Sequence, residues 1–183
     1  MFVAIVPPEP VLEDLEAFVA PRRDSAPFRW TLPGSWHVTL AFIEDVPDRS
    51  YDDLVDRLAR AVSRRSPTSA RLVGGGAFPH VGRAKLLWTG IETDQAELER
   101  AAIGVRSAAS TAGVEVDGAH FRPHVTLARM GRPVEATRWV RVLDAYAGPS
   151  WRIDEVELVA SYLGEGPRGR PRYESVATFA MGG

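Results

Sequence analysis

The pentapeptide His37-Val38-Thr39-Leu40-Ala41 returns letter for letter as His124-Val125-Thr126-Leu127-Ala128. An internal duplication is the direct reading of such an identity: two halves, each carrying one histidine and one threonine in the same setting. Both copies alternate apolar with small or polar residues, which is the period of a strand. Residues two apart on a strand share a face. The pattern predicts that His37, Thr39 and Ala41 point one way while Val38, Leu40 and Phe42 point into a core, with the second copy alike.

The rest of the chain mixes strands with amphipathic helices. Phe2 to Val6 reads as a strand, and Val11, Leu12, Leu15, Phe18 and Val19 then recur at helical spacing until Pro21. Phe28 to Leu32 reads as a short strand before a turn at Pro33-Gly34, and Ser50 as the N-cap of a helix striped by Leu54, Val55, Leu58 and Val62. Strands are expected near 70–78 and 85–91, then a helix from about Gln95 to Ala112 stopped by Gly113. A further helix is expected over 134–146, and strands over 151–163 and 173–181 close the chain. Paired strands interleaved with helices, and duplicated, predict an α+β fold: one domain over 1–183, bilobal, with two antiparallel sheets facing a central cleft and helices outside.

Composition narrows the chemistry. With 183 residues and 45% hydrophobic content the chain buries a full core, and no linker separates the halves. A net charge of -2 excludes a generally basic nucleic-acid coat, so a polyanion would be met by a local arginine patch. The absence of cysteine excludes disulfides, thiolate metal sites and cysteine nucleophiles. The apolar start Met1 to Val6 is cut short by Pro7-Pro8, so neither a signal peptide nor a membrane span is expected, and the cytoplasm is the default.

Two histidines brought together from two lobes suit the in-line cleavage of a phosphodiester, which needs a base on the attacking oxygen and an acid on the leaving one. Imidazole titrates near neutrality, so one ring can be neutral and the other charged without extreme tuning. Thr39 and Thr126, two residues along the same faces, can donate to the non-bridging oxygens. The scheme calls for no cofactor, no metal and no covalent intermediate.

With these motifs the chain resembles the two-histidine phosphoesterase superfamily, and within it the bacterial RNA 2',3'-cyclic phosphodiesterases, also called 2'-5' RNA ligases. The likeness runs through Arg29-Trp30, Leu40-Ala41-Phe42, Gly76-Ala77-Phe78-Pro79, Leu87-Trp88, Phe121-Arg122-Pro123 ahead of the second motif, and Ser161-Tyr162-Leu163 with Tyr173 beyond. It implies hydrolysis of terminal 2',3'-cyclic phosphates to 2'-phosphates, with His37 protonating the leaving 3'-oxygen and His124 activating water. Arg129, which matches the family's arginine after the second motif, would clamp phosphate. The chain carries Arg83-Ala84-Lys85 where the family often has Pro-Arg. The implied partners are RNA ends or nucleotides bearing a 2',3'-cyclic phosphate, met by a monomer away from membranes. Alternatives are a small cyclic phosphate of the ADP-ribose type, 2'-5' ligation, or a non-catalytic RNA-end-binding protein.

Other conspicuous residues have plainer readings. His80 and His120 are expected to be structural or solvated, and Pro123 prevents a helix that would join His120 to His124 as metal ligands. Gly74-Gly75-Gly76 predicts a bulge or tight turn. The 164–173 segment, with Arg168, Arg170 and Arg172, reads as a solvated hairpin loop, with an RNA-gripping flap as the alternative. Phe78 reads as core, with base stacking as the alternative.

Overall fold

A computed structural model describes residues 1–118 and 120–182; the side chain of Arg168 lies outside the described residues. The strands are β1 (Phe2–Ile5), β2 (Arg29–Trp30), β3 (Val38–Phe42), β4 (Thr68–Phe78), β5 (Ala84–Thr93), β6 (His124–Val134), β7 (Ala147–Ile153), β8 (Glu155–Tyr162) and β9 (Arg172–Ala180). The helices are α1 (Glu9–Val19), α2 (Asp48–Val62), α3 (Gln95–Thr111) and α4 (Thr137–Leu143).

The fold is α+β and every strand pairing is antiparallel. The strands run in the order β7-β4-β5-β6-β3-β1-β8-β9, with β2 added to β6. Where two separate sheets were expected, the two halves meet at one register position, Val38 opposite Val125. Both valines are wholly buried, so the seam is held by the core beneath it. The helices cross between halves. α1 packs on β7 and α4 on β4, whereas α3 lies behind β3, α2 touches β9, and α2 and α3 pack on each other.

Helix formation follows the apolar spacing. Val11, Leu15 and Val19 on α1, and Leu54, Leu58 and Val62 on α2, recur every fourth residue and are buried. On α3 the Asp94 carboxylate caps the Glu97 amide at 3.0 Å, and Gly113 at φ +75° stops the helix in the left-handed region. Three expectations need correction. α2 begins at Asp48 behind Pro47 rather than at Ser50. β6 extends to Val134, which shortens the following helix to Thr137–Leu143. The expected 151–163 strand is two strands, β7 and β8, parted at Asp154.

Candidate active site

Antiparallel residues that face one another send their side chains to the same side of the sheet. Val38 and Val125 both go into the core, so their neighbours emerge opposite. The register sets His37 across from Thr126 and Thr39 across from His124. Four side chains thus stand together on one face, each partly exposed, around a buried valine pair.

Beyond the threonines the alternation breaks, identically in both copies. β1 pairs Val3 with Ala41 and Ala4 with Thr39, skipping Leu40; β5 pairs Leu87 with Ala128 and Trp88 with Thr126, skipping Leu127. Each skipped leucine is a β-bulge residue, fully buried, and the bulge reverses the phase of everything after it. Ala41 and Ala128 therefore go inward. Phe42, which alternation alone places in the core, is 49% exposed and lines a cavity with Thr39 and His124. Arg129 holds the equivalent position in the second copy. It is exposed, and its charge acts on both histidines. Across β2, Arg29 faces Arg129, two like charges on one face, and neither makes an ion pair among the described residues.

Each imidazole is held by the backbone two residues before it. The His37 Nδ1–H donates to the Ser35 carbonyl at 2.9 Å, and the His124 Nδ1–H to the Arg122 carbonyl at 2.6 Å. That bond fixes the tautomer and leaves Nε2 as the nitrogen through which each ring exchanges protons. Aromatic rings fix the plane. Phe2 stacks on His37 at 4.4 Å, with Tyr173 edge-on at 5.5 Å. Phe78 stands edge-on to His124 at 5.0 Å, and Trp88 lies 6.3 Å from it. Phe78 thus belongs to the site's wall, where the sequence reads more simply as core.

Both rings are biased toward the neutral form. Burial pushes His37 down to about 4; its bond to the Ser35 carbonyl opposes this, and the charges of His124 and Arg129 add to it. Burial also lowers His124, against the Arg122 carbonyl and with Arg129. The mild tuning expected from the sequence is therefore exceeded at His37. A negative group between the rings would reverse the bias that Arg129 imposes.

The glycine run supports the second histidine from behind. Gly74, at φ +59°, sits within the bulge between Val73 and Gly76 on β4, and the Thr89 hydroxyl donates to its carbonyl at 2.8 Å. Gly76 lies against the Trp88 indole, and a Cβ there would fall 2.1 Å from Cζ2. His80 and His120 are exposed, and His120 borders the cavity beside His124. In the 164–173 segment Arg172 is held by Glu174 at 2.7 Å and Glu165 at 3.0 Å and lies over the Tyr162 ring. Among the described residues no group of three or more histidine, aspartate or glutamate side chains is placed to hold a metal ion. No described helix is long and apolar enough to cross a membrane.

Residues 7–165 match the model of the 2'-5' RNA ligase superfamily. The chain belongs to this superfamily. An RNA 2',3'-cyclic phosphodiesterase of Thermus thermophilus is 31% identical over 192 residues, covering 100% of this chain and 90% of the relative. One from Geobacillus stearothermophilus is 28% identical over 183 residues; the alignment takes in 98% of this chain and 56% of that longer relative. Among solved structures, E. coli LigT complexed with 3'-AMP is 25% identical with a TM-score of 0.78, covering 98% of this chain and 96% of that one. Both His-x-Thr motifs, at 37–39 and 124–126, lie within the matched residues. The signal that finds Phe42 is internal: it stands five residues after its histidine, as Arg129 does.

Proposed function

We propose that the chain hydrolyses RNA terminal 2',3'-cyclic phosphodiesters to 2'-phosphomonoesters by two-histidine acid-base chemistry. The observation that carries this reading is the placement of His37, Thr39, His124 and Thr126 on one face around the Val38–Val125 pair, with both Nδ1 atoms tied to backbone carbonyls. His124 takes a proton from water as its oxygen attacks phosphorus. The bond to the 3'-oxygen breaks in line, and His37 delivers a proton to that oxygen, leaving the phosphate on the 2'-position. Thr39 and Thr126 donate to the non-bridging oxygens, and Arg129, with Arg29 opposite, supplies positive charge.

His37 must carry a proton to act as the acid, whereas the unliganded protein keeps it neutral. The bound anionic phosphate favours the charged ring, and the Phe2 face stacked at 4.4 Å stabilises an imidazolium. Charging of His37 is thereby coupled to substrate entry. The chain acts as one cytoplasmic, monomeric domain of two lobes.

A cavity of about 420 Å³ beside His124, walled by Thr39, Phe42, Phe78, Phe121 and Arg122, favours a second reading at the same site. A nucleoside hydroxyl held there would replace water as nucleophile, which is 2'-5' ligation. Purified protein incubated with 2',3'-cyclic nucleotides and cyclic-phosphate-ended oligonucleotides in excess chelator, followed by phosphorus NMR, tests both. A 2'-phosphate product is expected. A 3'-phosphate product, or activity that requires added zinc or manganese, overturns the scheme.

A further inference from the structure

α2 and α3 approach closely where Ala61 meets Gly104; a Cβ placed on Gly104 would lie 3.9 Å from that of Ala61. Above this floor opens a groove of about 450 Å³ lined by Arg57, Arg60, Arg64, Arg65 and Arg100, with Ile103 among them. The groove is distinct from the cleft. α3 turns Leu98, Ala101, Ala102, Val105, Ala108 and Ala109 into the core, and α2 turns in Leu54, Leu58 and Val62. Arg57, Arg60, Arg100 and Ile103 therefore stand on outward faces, and Arg64 is exposed in the turn that follows α2. The groove and the cavity beside His124 have no lining residue in common.

The charge in this groove is not balanced. Arg57 pairs with Asp53 at 2.7 Å, while the single carboxylate of Glu97 serves both Arg100 at 2.7 Å and Arg65 at 3.9 Å. Arg60 and Arg64 have no ion pair among the described residues. Asp56, one turn before Arg60 on α2, and Glu99, beside Arg100 on α3, are exposed but do not line the groove. Five guanidinium groups against two carboxylates leave three positive charges in a chain whose net charge is -2. Arg57 and Arg60 stand three residues apart on α2, neighbours at roughly 5–6 Å on one helix face, and Arg64 carries the cations on into the turn just past Val62. Guanidinium forks at such steps suit consecutive phosphates better than a single anion. Ile103, 61% exposed, offers an apolar surface beside them for a sugar or base.

We infer that the α2–α3 groove is a second RNA-binding surface, gripping the phosphodiester backbone of the strand whose cyclic end occupies the cleft. This rests on the function proposed above and deepens it. The groove supplies affinity for the body of the RNA, and the cleft does chemistry on its end.

The test compares the whole protein with R60E/R64E and with the milder R60Q/R64Q. Labelled RNAs of increasing length with plain 3'-hydroxyl ends report binding by fluorescence anisotropy, and 2',3'-cyclic mononucleotides report the cleft alone. The proposal expects affinity to rise with length, R60E/R64E to bind long RNA at least about tenfold more weakly, and its log-affinity against log-salt slope to flatten by about two. R60Q/R64Q should flatten the slope likewise with a smaller loss. Mononucleotide turnover should stay at the wild-type rate in both variants, while KM for long cyclic-ended RNA rises. Unchanged long-RNA affinity in either variant overturns the proposal. So does equal displacement of the RNA by polyglutamate, which would mark the surface as one for an acidic protein. Should the wild type leave cyclic mononucleotides intact yet bind long RNA through Arg60 and Arg64, the catalytic reading fails and the groove stands.

Discussion

Val38 and Val125 face each other at the one register position, among the described residues, where β3 meets β6. One buried pair therefore sets the spacing of both histidines. Val38→Ala or Val125→Ala removes two methyl groups from a site with no exposure and should cost about 2 kcal/mol. Each should also lower kcat, because the seam loosens under the site. Val156→Ala, equally buried on β8, should cost similar stability and leave kcat unchanged. Urea denaturation beside turnover of a 2',3'-cyclic nucleotide separates the two effects.

The histidines and threonines should differ in degree. His37→Ala or His124→Ala removes a proton-transfer partner and should lower kcat by about 10²-fold to 10⁴-fold. Thr39→Val or Thr126→Val keeps shape and strand propensity while deleting one hydroxyl donor, for a loss on the order of 10-fold to 10³-fold. Fully active valine variants would show that the hydroxyls do not meet the phosphoryl oxygens.

Stability should carry the signature of His37. Its folded value of about 4 lies below the ordinary 6.5, so between these pH values the unfolded chain binds a proton that the folded one does not. The stability contributed by the neutral ring is full above about pH 6.5 and is lost as pH falls toward about 4, at up to ~1.4 kcal/mol per pH unit. His37→Asn should be less sensitive to acid over that window in urea denaturation. In NMR titrations inorganic phosphate should raise the midpoints of both histidines. Arg129→Gln should raise both as well, since Arg129 holds both down.

Gly76→Ala sets a methyl against the Trp88 indole, 2.1 Å from Cζ2. The ring must move, at about 1–3 kcal/mol. Trp88 lies 6.3 Å from His124, so the loss of activity should exceed what the fall in Tm explains. A shift in tryptophan emission would report the displacement, and an unmoved spectrum with full activity would refute the coupling.

The repeat made the two motif strands, their shared faces and the pairing of histidine with threonine readable in advance, because period-two alternation is a local property. The bulges at Leu40 and Leu127 were not, because skipping a residue depends on the partner strands β1 and β5. Alternation places Phe42 in the core, and Arg129 is placed by resemblance but not by alternation, which sends it inward. The aromatic settings of the histidines were likewise illegible: Phe2 and Tyr173 converge on His37 from opposite ends of the sequence. The α2–α3 groove is illegible for the same reason, since two strands separate Arg100 on α3 from the arginines on and just past α2.

The strand order has a bearing on how such a chain can be divided. β4, from the first half of the sequence, pairs with β7 of the second as well as with its neighbour β5; β8 and β9, from the second half, complete the strands beside β1. A cut between β4 and β5 therefore yields two fragments, neither holding a whole half-sheet. Each would expose the edge that the other covers. Such fragments are obligate partners rather than miniature enzymes, and a single-copy forerunner of this repeat would have needed a second molecule of itself to close the same surface.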